Sequence, residues 1–189
     1  MEIHLIRHTQ VHNPDKLCYG QSDIPLAETW ENDMAFIRSK LKYDDRIVVY
    51  SSPFKRCTDL AETISDSFIQ RPELSEMHFG DWEQKSWDSL DQEVLNQWMA
   101  DFVNSQVPGG ESFEIMHTRC THFWEELISS ENERVFIITH AGVIRSILAH
   151  VLGIPLKNIF QLQVDYGSVS KITYDRKFKS LVVNFVNQV

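Results

Sequence analysis

Two short apolar runs, each followed closely by a histidine, constrain the fold of this chain more than any other feature. Residues 3–6 lead to His8 and residues 135–138 lead to His140. Both runs are rich in β-branched residues and apolar on both faces, which is typical of buried parallel strands covered by helices. Residues 47–50 form a third such run. Because ligands bind beyond the carboxyl ends of such strands, we expect His8, His140 and segment 51–56 to share one crevice.

The spacing of apolar residues elsewhere predicts helices between these strands. The predicted helices cover residues 28–41, 52–68, 87–102, 111–129 and 143–152. Ser52 and Pro53 supply an N-cap and a first-turn proline for the second helix. Residues 161–166 and 169–174 are predicted to pair as a hairpin, and residues 181–186 to add a further strand. The expected fold class is therefore α/β, in three layers (α/β/α) with a mostly parallel central sheet flanked by helices.

The size of the chain favours one domain. With 189 residues and 42% hydrophobic content, residues 1–189 can bury a single sizeable core. Residues 73–110 are less regular, and we expect them to form a small helical insertion over the crevice, like a lid. Residues 1–6 are too short for a signal peptide, and no apolar run reaches membrane-spanning length. These features predict a cytoplasmic protein that does not interact with membranes.

Charge and cysteine content exclude other classes. The net charge is −9, and residues 73–133 carry 14 acids but only two bases, Lys85 and Arg119. Such a surface repels a phosphate backbone, so a nucleic-acid partner is not expected. The three cysteines are an odd number at wide spacing, which argues against a disulfide framework or a structural zinc site.

Four residues near the predicted crevice point to phosphoryl chemistry. Arg7 and Arg56 would match phosphate oxygens bidentately, and Arg56 falls in the first turn of its helix, where free N–H groups also favour anions. Neighbouring cations disfavour protonation of an imidazole, which would help to keep one of the two histidines, His8 and His140, neutral and nucleophilic. Gly142 permits a ligand to approach the backbone at the next helix start, so we expect it to bind phosphate.

The remaining requirement is a proton donor for a leaving alcohol. Glu76 is the candidate, because it is flanked by apolar residues and followed by a turn glycine, although by spacing alone several other acids would serve as well. A zinc site formed by His8, His12 and His140 is the alternative that the histidines allow. The neighbouring arginines weigh against it, so we expect no metal.

Six motifs in order along nearly the whole chain resemble those of the histidine phosphatase superfamily, which is also called phosphoglycerate mutase-like. They are LIRHT at 5–9, YGQSDIPL at 19–26, SSPFKR at 51–56, EMHFGDWE at 76–83, PGGES at 108–112 and THAG at 139–142. The resemblance implies that His8 attacks phosphorus and becomes phosphohistidine, while Arg7, Arg56 and His140 hold the phosphoryl oxygens. It also implies that Glu76 protonates the leaving group and later deprotonates water.

The resemblance further implies that no metal or cofactor takes part and that Asn13, Gly20 and Gln21 bind substrate. Two departures from the family pattern affect the assignment of these roles to this chain. Thr9 stands where the family commonly has glycine, so the backbone there must be accessible at negative φ. Asn13 lies five residues after His8, where the family usually has an asparagine at six. A third departure, Gln84 in place of a glycine, is expected to affect a loop.

Within the superfamily, the Arg-His-Thr opening and residues 18–21 most resemble the α-ribazole phosphatases of cobalamin nucleotide-loop assembly. The implied partner is a small phosphate monoester, α-ribazole 5′-phosphate. Phe79, Trp82 and Trp87 are placed either to stack on an aromatic base or to pack in the core. The alternatives are a cofactor-dependent phosphoglycerate mutase, another sugar-phosphate phosphatase, and a catalytically inactive phospho-ligand binding module. The oligomeric state stays open, with a dimer as one option.

Overall fold

The computed structural model describes residues 1–41 and 46–189. Within these ranges six strands form one sheet in the order β3-β2-β4-β1-β5-β6. The strands are β1 (Glu2–Arg7), β2 (Ile47–Ser51), β3 (Ile69–Gln70), β4 (Arg134–Thr139), β5 (Val169–Asp175) and β6 (Ser180–Gln188). Strands β3, β2, β4 and β1 are parallel, whereas β5 runs antiparallel to both β1 and β6.

Helices cover both faces of the sheet. They are α1 (Trp30–Lys40), α2 (Lys55–Ile64), α3 (Gln92–Ala100), α4 (Phe113–Ser129) and α5 (Ala141–Leu152). Helix α4 begins where the Ser112 side chain accepts a hydrogen bond from the backbone N–H of Ile115 at 3.3 Å. Helix α5 ends at Gly153, which has a φ of 65° and so adopts the left-handed conformation that glycine tolerates best.

The pleat of the central strands separates two cores. In β4, Val135 and Ile137 face the core beneath α4 and α5, whereas Phe136 and Ile138 face the core beneath α1 and α2. The apolar residues of α4 that face its core are Phe113, Met116, Cys120, Phe123, Trp124 and Leu127. The predicted three-layer α/β/α arrangement with a mostly parallel sheet is confirmed.

Segment 73–110 packs onto the larger of the two cores. Its buried residues there are Leu74, Met77, Trp82, Leu90, Leu95 and Val107. The single helix predicted over 87–102 is wrong, because the segment forms a short 3₁₀ turn (Trp87–Ser89) and then α3. Asp91 separates the two, since its side chain accepts the backbone N–H groups of Glu93 and Val94 and starts a new helix.

Helix α2 is shorter than the predicted range 52–68. Its N-cap is Phe54 rather than Ser52. The backbone N–H of Ser52 continues the sheet by donating to Ile138, and the hydroxyl of Ser52 contacts His140, so neither group caps the helix. The chain is extended again from Ser65, and residues 69–70 join the sheet as β3.

The predicted hairpin between 161–166 and 169–174 is also wrong. Strand β5 pairs instead with β6, which contains the predicted strand 181–186. Residues 161–166 form no strand, and side chains bind two of their backbone groups: Arg7 donates to the carbonyl of Val164, and Asn187 accepts the N–H of Asp165. In the ranges that the structure describes, every helix is too short or too polar to cross a bilayer.

Candidate active site

The two histidines predicted from the sequence meet at the carboxyl edge of the sheet. His8 follows β1 and His140 follows β4, and these neighbouring strands pair in parallel up to Arg7 and Thr139. The centroids of the two imidazole rings lie 5.1 Å apart. Segment 51–56 follows β2 and brings Arg56 to the same edge, where it contacts His140. The expected shared crevice is therefore present.

His8 is held as a neutral imidazole with one free ring nitrogen. Its Nδ1 lies 2.8 Å from the carbonyl oxygen of Thr9, which can only accept, so Nδ1 carries the proton. Burial of the ring, followed by the charges of Arg56 and Arg7, holds the pKa of His8 well below its usual value. The lone pair is therefore on Nε2. Thr9 lies outside the positive-φ region, so a β-branched residue fits at this position.

His140 is fixed through both ring nitrogens. Arg56 Nε donates to its Nδ1 at 3.3 Å, which leaves the proton on Nε2, 2.7 Å from the Ser52 hydroxyl. Burial, and then the charge of Arg56, holds the pKa of His140 well below its usual value. The sequence predicted Ser52 as a helix N-cap; the structure shows that its hydroxyl orients this ring instead.

Arg56 is a buried guanidinium anchored by backbone oxygens. It donates to the carbonyls of Gly20 and Ser22. Its nearest carboxylate is that of Asp23, 3.8 Å away and more than half exposed. Since carbonyl groups carry no net charge, much of the positive charge of Arg56 stays available to an anion in the crevice.

Arg7 approaches the crevice from the end of β1. Its Nη1 donates to Val164 at 2.7 Å, and its guanidinium lies 3.6 Å from the ring centroid of Tyr166. Its Nε is buried and has no hydrogen-bond partner within residues 1–41 and 46–189. A buried donor without a partner costs free energy, which makes Arg7 a strong site for an oxyanion.

Glu76 reaches the same crevice through the start of α5. Its two carboxylate oxygens accept the backbone N–H groups of Met77 at 2.9 Å and of Gly142 at 3.1 Å. Gly142 was predicted to let a ligand approach the backbone, but the group that approaches it is the Glu76 carboxylate. A Cβ atom on Gly142 would lie 2.2 Å from Glu76 Oε1. The N–H of Gly142, predicted to bind phosphate, is engaged by Glu76 instead.

Arg119 was missed as a site residue in the sequence. It donates to the carbonyl oxygens of Glu73, Ser75 and Glu76, and it forms an ion pair with Glu111 at 2.6 Å. The segment that carries Glu76 is thereby tied to α4. The available signal was charge, because Arg119 is one of only two bases in an otherwise acidic stretch.

Asn13, Gly20 and Gln21, which were predicted to bind substrate, do not line the pocket that contains His8 and His140. Gln21 supports the acid instead, since its side chain donates to the carbonyl of Glu76 at 3.1 Å. Gly20 lets the chain pass the acid-bearing segment, because a Cβ there would lie 1.8 Å from the Met77 carbonyl. Both amide atoms of Asn13 bind the backbone of Leu17, so the structure gives Asn13 a role in shaping a loop.

A pocket of about 230 Å³ extends from the two histidines. Arg7, His8, Glu76 and His140 line one end. Aromatic side chains dominate the rest of the lining: Tyr19, Phe79, Trp87, Trp98, Phe102, Phe113 and Phe160. Phe79 and Trp87 thus line the pocket, where they could stack on an aromatic base. Trp82 is instead buried in the core.

The zinc alternative finds no support in the geometry. His12 is exposed and does not line the pocket that contains His8 and His140. Within the described ranges, no three histidine, cysteine, aspartate or glutamate side chains are placed to hold one metal ion.

Comparisons with known proteins agree with this geometry. The family model of the histidine phosphatase superfamily, branch 1, matches residues 3–186. The adenosylcobalamin/alpha-ribazole phosphatase of Escherichia coli is 28% identical, over 97% of this chain and 95% of its own length. A metal-independent phosphoserine phosphatase of Arabidopsis thaliana is 30% identical over 79% of this chain and 68% of its own length.

The structural comparison extends over the whole chain. The crystal structure of the alpha-ribazole phosphatase from Shigella flexneri superimposes with a TM-score of 0.89 at 26% identity, covering 100% of this chain and 96% of that one. The fold, the paired histidines and the family match lead to one assignment. The chain belongs to branch 1 of the histidine phosphatase superfamily and is a phosphoric monoester hydrolase.

Proposed function

We propose that this enzyme hydrolyses a small phosphate monoester through a phosphohistidine on His8, and that its substrate is α-ribazole 5′-phosphate. The observation that carries the mechanism is the 2.8 Å contact between His8 Nδ1 and the Thr9 carbonyl. It leaves a lone pair on Nε2 of a buried, neutral ring beside two arginines. A nucleophile with these properties needs no separate base to activate it.

In the first step, the Nε2 lone pair attacks phosphorus while the bond from phosphorus to the ester oxygen breaks. Arg7 and Arg56 stabilise the charge on the transferred phosphoryl oxygens. His140 lies beside His8 at the same edge and holds Arg56 in place by accepting its Nε–H group. Glu76 in its protonated form gives its proton to the departing alkoxide, so that a neutral alcohol leaves.

In the second step, water attacks the phosphohistidine and Glu76, now a carboxylate, takes the proton. The nitrogen–phosphorus bond breaks, its electron pair returns to Nε2, and inorganic phosphate leaves. The backbone N–H groups of Met77 and Gly142 fix both carboxyl oxygens, so one group serves both proton transfers from one position.

The aromatic wall supports an aromatic leaving group. Phe79, Trp87 and Phe160 line the pocket beyond Glu76, the residue that meets the leaving oxygen. A benzimidazole riboside would place its planar base against such rings, where stacking and apolar burial favour it. The likeness to the alpha-ribazole phosphatases of Escherichia coli and Shigella flexneri supports the same substrate.

A second candidate is a phosphate ester that carries a carboxylate, such as phosphoserine. Arg145 favours it: this half-buried residue lines the pocket and uses Nε to bind Leu162 at 2.9 Å. Within the described residues its terminal nitrogens form no hydrogen bond, so they are suited to a carboxylate. The likeness to a phosphoserine phosphatase is in line with this candidate.

A panel of esters separates the candidates. We would measure kcat/KM, by release of inorganic phosphate, for α-ribazole 5′-phosphate, phosphoserine and 3-phosphoglycerate. We expect the first to exceed the others by at least about tenfold, the size of one good recognition element. A preference for phosphoserine would favour the second candidate. Conversion of 3-phosphoglycerate without phosphate release would indicate a mutase, and no turnover of any ester would indicate a binding module.

Two further proposals concern the setting of the enzyme. We propose a cytoplasmic location, which the three free, buried cysteines support because thiols persist in reducing compartments. We also propose that residues 1–189 act as one domain with 73–110 as the insertion that covers the site, in line with a family match over 3–186. The oligomeric state stays open, with a dimer as one option.

A further inference from the structure

Two tyrosines that the mechanism does not use connect the two phosphate-binding arginines. Tyr19 and Tyr166 are 147 positions apart in the chain, yet their hydroxyl oxygens lie 2.6 Å apart. The guanidinium carbon of Arg7 lies 3.6 Å from the ring centroid of Tyr166. The guanidinium carbon of Arg56 lies 5.4 Å from the ring centroid of Tyr19. Arg56 also lies 5.0 Å from the ring of Phe54, but of its two ring neighbours only Tyr19 is joined to the ring beneath Arg7 by a hydrogen bond. We call Tyr19 and Tyr166 the tyrosine bridge.

The bridge also adjoins the nucleophile. The ring centroids of Tyr166 and His8 are 5.5 Å apart. Burial raises the pKa of Tyr19, so its hydroxyl stays protonated in the bridge. Neither hydroxyl is needed to bind a phosphoryl oxygen or to move a proton in the proposed reaction. The role that remains is to position the groups that do.

The charge of Arg7 explains why an aromatic ring suits this task. No carboxylate forms an ion pair with Arg7 in the part of the chain that the structure describes. A carboxylate would fix the guanidinium but also neutralise much of its field at the crevice. The face of Tyr166 attracts the guanidinium through its quadrupole and leaves the net charge intact.

We propose that the tyrosine bridge is a positioning device that sets the separation of Arg7 and Arg56 to fit the phosphoryl group in the transition state. The inference rests on the proposed function, because it takes both arginines to bind the phosphoryl group. Phosphate in the ground state is tetrahedral and compact, whereas the transferred group is flattened between two axial ligands. A fixed separation therefore favours the transition state over bound phosphate.

The test compares a transition-state mimic with a ground-state one. Y166F keeps the ring under Arg7 but removes the hydroxyl bond, and Y166L removes the aromatic face while keeping bulk. For Y166F we expect kcat to fall about 3- to 10-fold, the scale of one hydrogen bond, with KM within about twofold. For Y166L we expect a larger fall, on the order of 10²-fold, because the cation–π contact is lost as well.

Inhibition constants distinguish a positioning role of the tyrosine bridge from a merely structural one. We expect the Ki of orthovanadate, which adopts the flattened geometry, to rise in Y166F by the same factor as kcat falls, while the Ki of inorganic phosphate stays within about twofold. Y19F should match Y166F, and the Y19F/Y166F double variant should be no slower than either, since all three remove one shared bond.

The control is Y50F, which removes a half-buried tyrosine hydroxyl bonded to Asn132 at 3.4 Å, outside the site. Its kinetics and both inhibition constants should be those of the parent. Unchanged kcat in Y166F, or equal shifts in the vanadate and phosphate constants, would overturn the inference. Failure of the proposed function would look different: the unmodified enzyme itself would show neither phosphate release nor inhibition by vanadate.

Discussion

The two ends of the pocket are built in different ways. At the phosphate end, hydrogen bonds position the functional side chains: Arg56 donates to two backbone carbonyls, Glu76 accepts two backbone N–H groups, and His140 is held by Ser52 and Arg56. At the aromatic end, rings meet mainly edge to face, as Phe79 does with Trp87 at a centroid distance of 5.8 Å. Directional bonds fix geometry to tenths of an ångström, whereas edge-to-face contacts between two apolar rings tolerate rearrangement.

The difference separates reaction from recognition. The phosphate end can act on any monoester, because it contacts the part that all monoesters share. The aromatic end meets the part that differs between substrates. We therefore expect substitutions at the phosphate end to affect all substrates, and substitutions at the aromatic end to affect some substrates more than others.

The largest effect should come from His8→Ala. The substitution removes the nucleophile, so we expect kcat to fall by at least about 10⁴-fold for every ester, and labelling by radioactive phosphate to disappear. The measurements are phosphate release and acid-labile incorporation of label. His12→Ala, at an exposed position, is the matched control and should behave like the parent. An acid-labile phosphoenzyme in His8→Ala would place the nucleophile elsewhere.

Glu76→Gln should have the next largest effect, and one that depends on the leaving group. The amide cannot donate a proton to the leaving oxygen, so we expect esters of alcohols to lose about 10²- to 10⁴-fold in rate. Loss with p-nitrophenyl phosphate should be smaller, because nitrophenol leaves with little protonation. Steady-state rates with both esters check this. Glu114→Gln, an exposed carboxylate on α4, serves as the control.

Equal losses with the two esters would contradict the acid role of Glu76. Gly142→Ala sharpens the test, because its Cβ would force the Glu76 carboxylate to move. Its effect should show the same dependence on the leaving group. The double variant should be no slower than Glu76→Gln alone, since both changes remove the same function.

At the aromatic end, Phe160→Ala should raise KM for an aromatic ester about 5- to 10-fold, the scale of one stacking contact. Glycerol 2-phosphate, which lacks a ring, should be affected less than about twofold. Phe160 is 62% exposed, so folding should be little changed. Phe178→Ala, at a 70% exposed ring outside the pocket, is the control. Equal shifts for both esters would mean that this end does not discriminate.

The smallest effect should appear in the pH dependence of stability. Burial lowers the pKa values of His8 and His140 in the folded state, while in the unfolded chain they stay at about 6.5. Below that pH the unfolded state binds more protons, so the free energy of unfolding falls as pH falls, by about 1.4 kcal/mol per pH unit for each buried histidine. Above pH of about 6.5 these groups contribute no slope.

Urea unfolding at pH 5, 6 and 7, buffered at constant ionic strength, measures this slope. His140→Gln should reduce it by one histidine, and His12→Gln should leave it unchanged. His4, whose pKa burial lowers to about 4, contributes in the same window and should remain in both variants. An unchanged slope in His140→Gln would mean that His140 is not neutral when buried.

The same contrast explains what could be predicted from the sequence. The central strands and Arg7, His8, Arg56 and His140 follow from local patterns, because a run of apolar residues fixes both a buried strand and the crevice at its end. Arg119 and Tyr166 reach the site through contacts distant in the chain, which no local pattern encodes. The helix start at Ser52 was misplaced for a similar reason: its hydroxyl serves His140, from 88 positions away.

Residues 161–166 show the limit for secondary structure. Their composition resembles a strand, yet their backbone binds side chains of Arg7 and Asn187. Secondary-structure propensity describes the conformation that a segment prefers in isolation. Tertiary contacts override that preference where site residues bind the backbone of the segment. Asn13 shows the opposite case. The family resemblance predicted that it binds substrate, but its side chain closes a loop by binding the backbone of Leu17.

The contact between Gly142 and Glu76 has an evolutionary consequence. A side chain at position 142 would displace the Glu76 carboxylate, because its Cβ would lie 2.2 Å from Oε1. The carboxylate would then have to leave its hydrogen bond with the N–H of residue 142. Where a relative has a larger residue at the position of Gly142, its acid should therefore take another position or come from another segment.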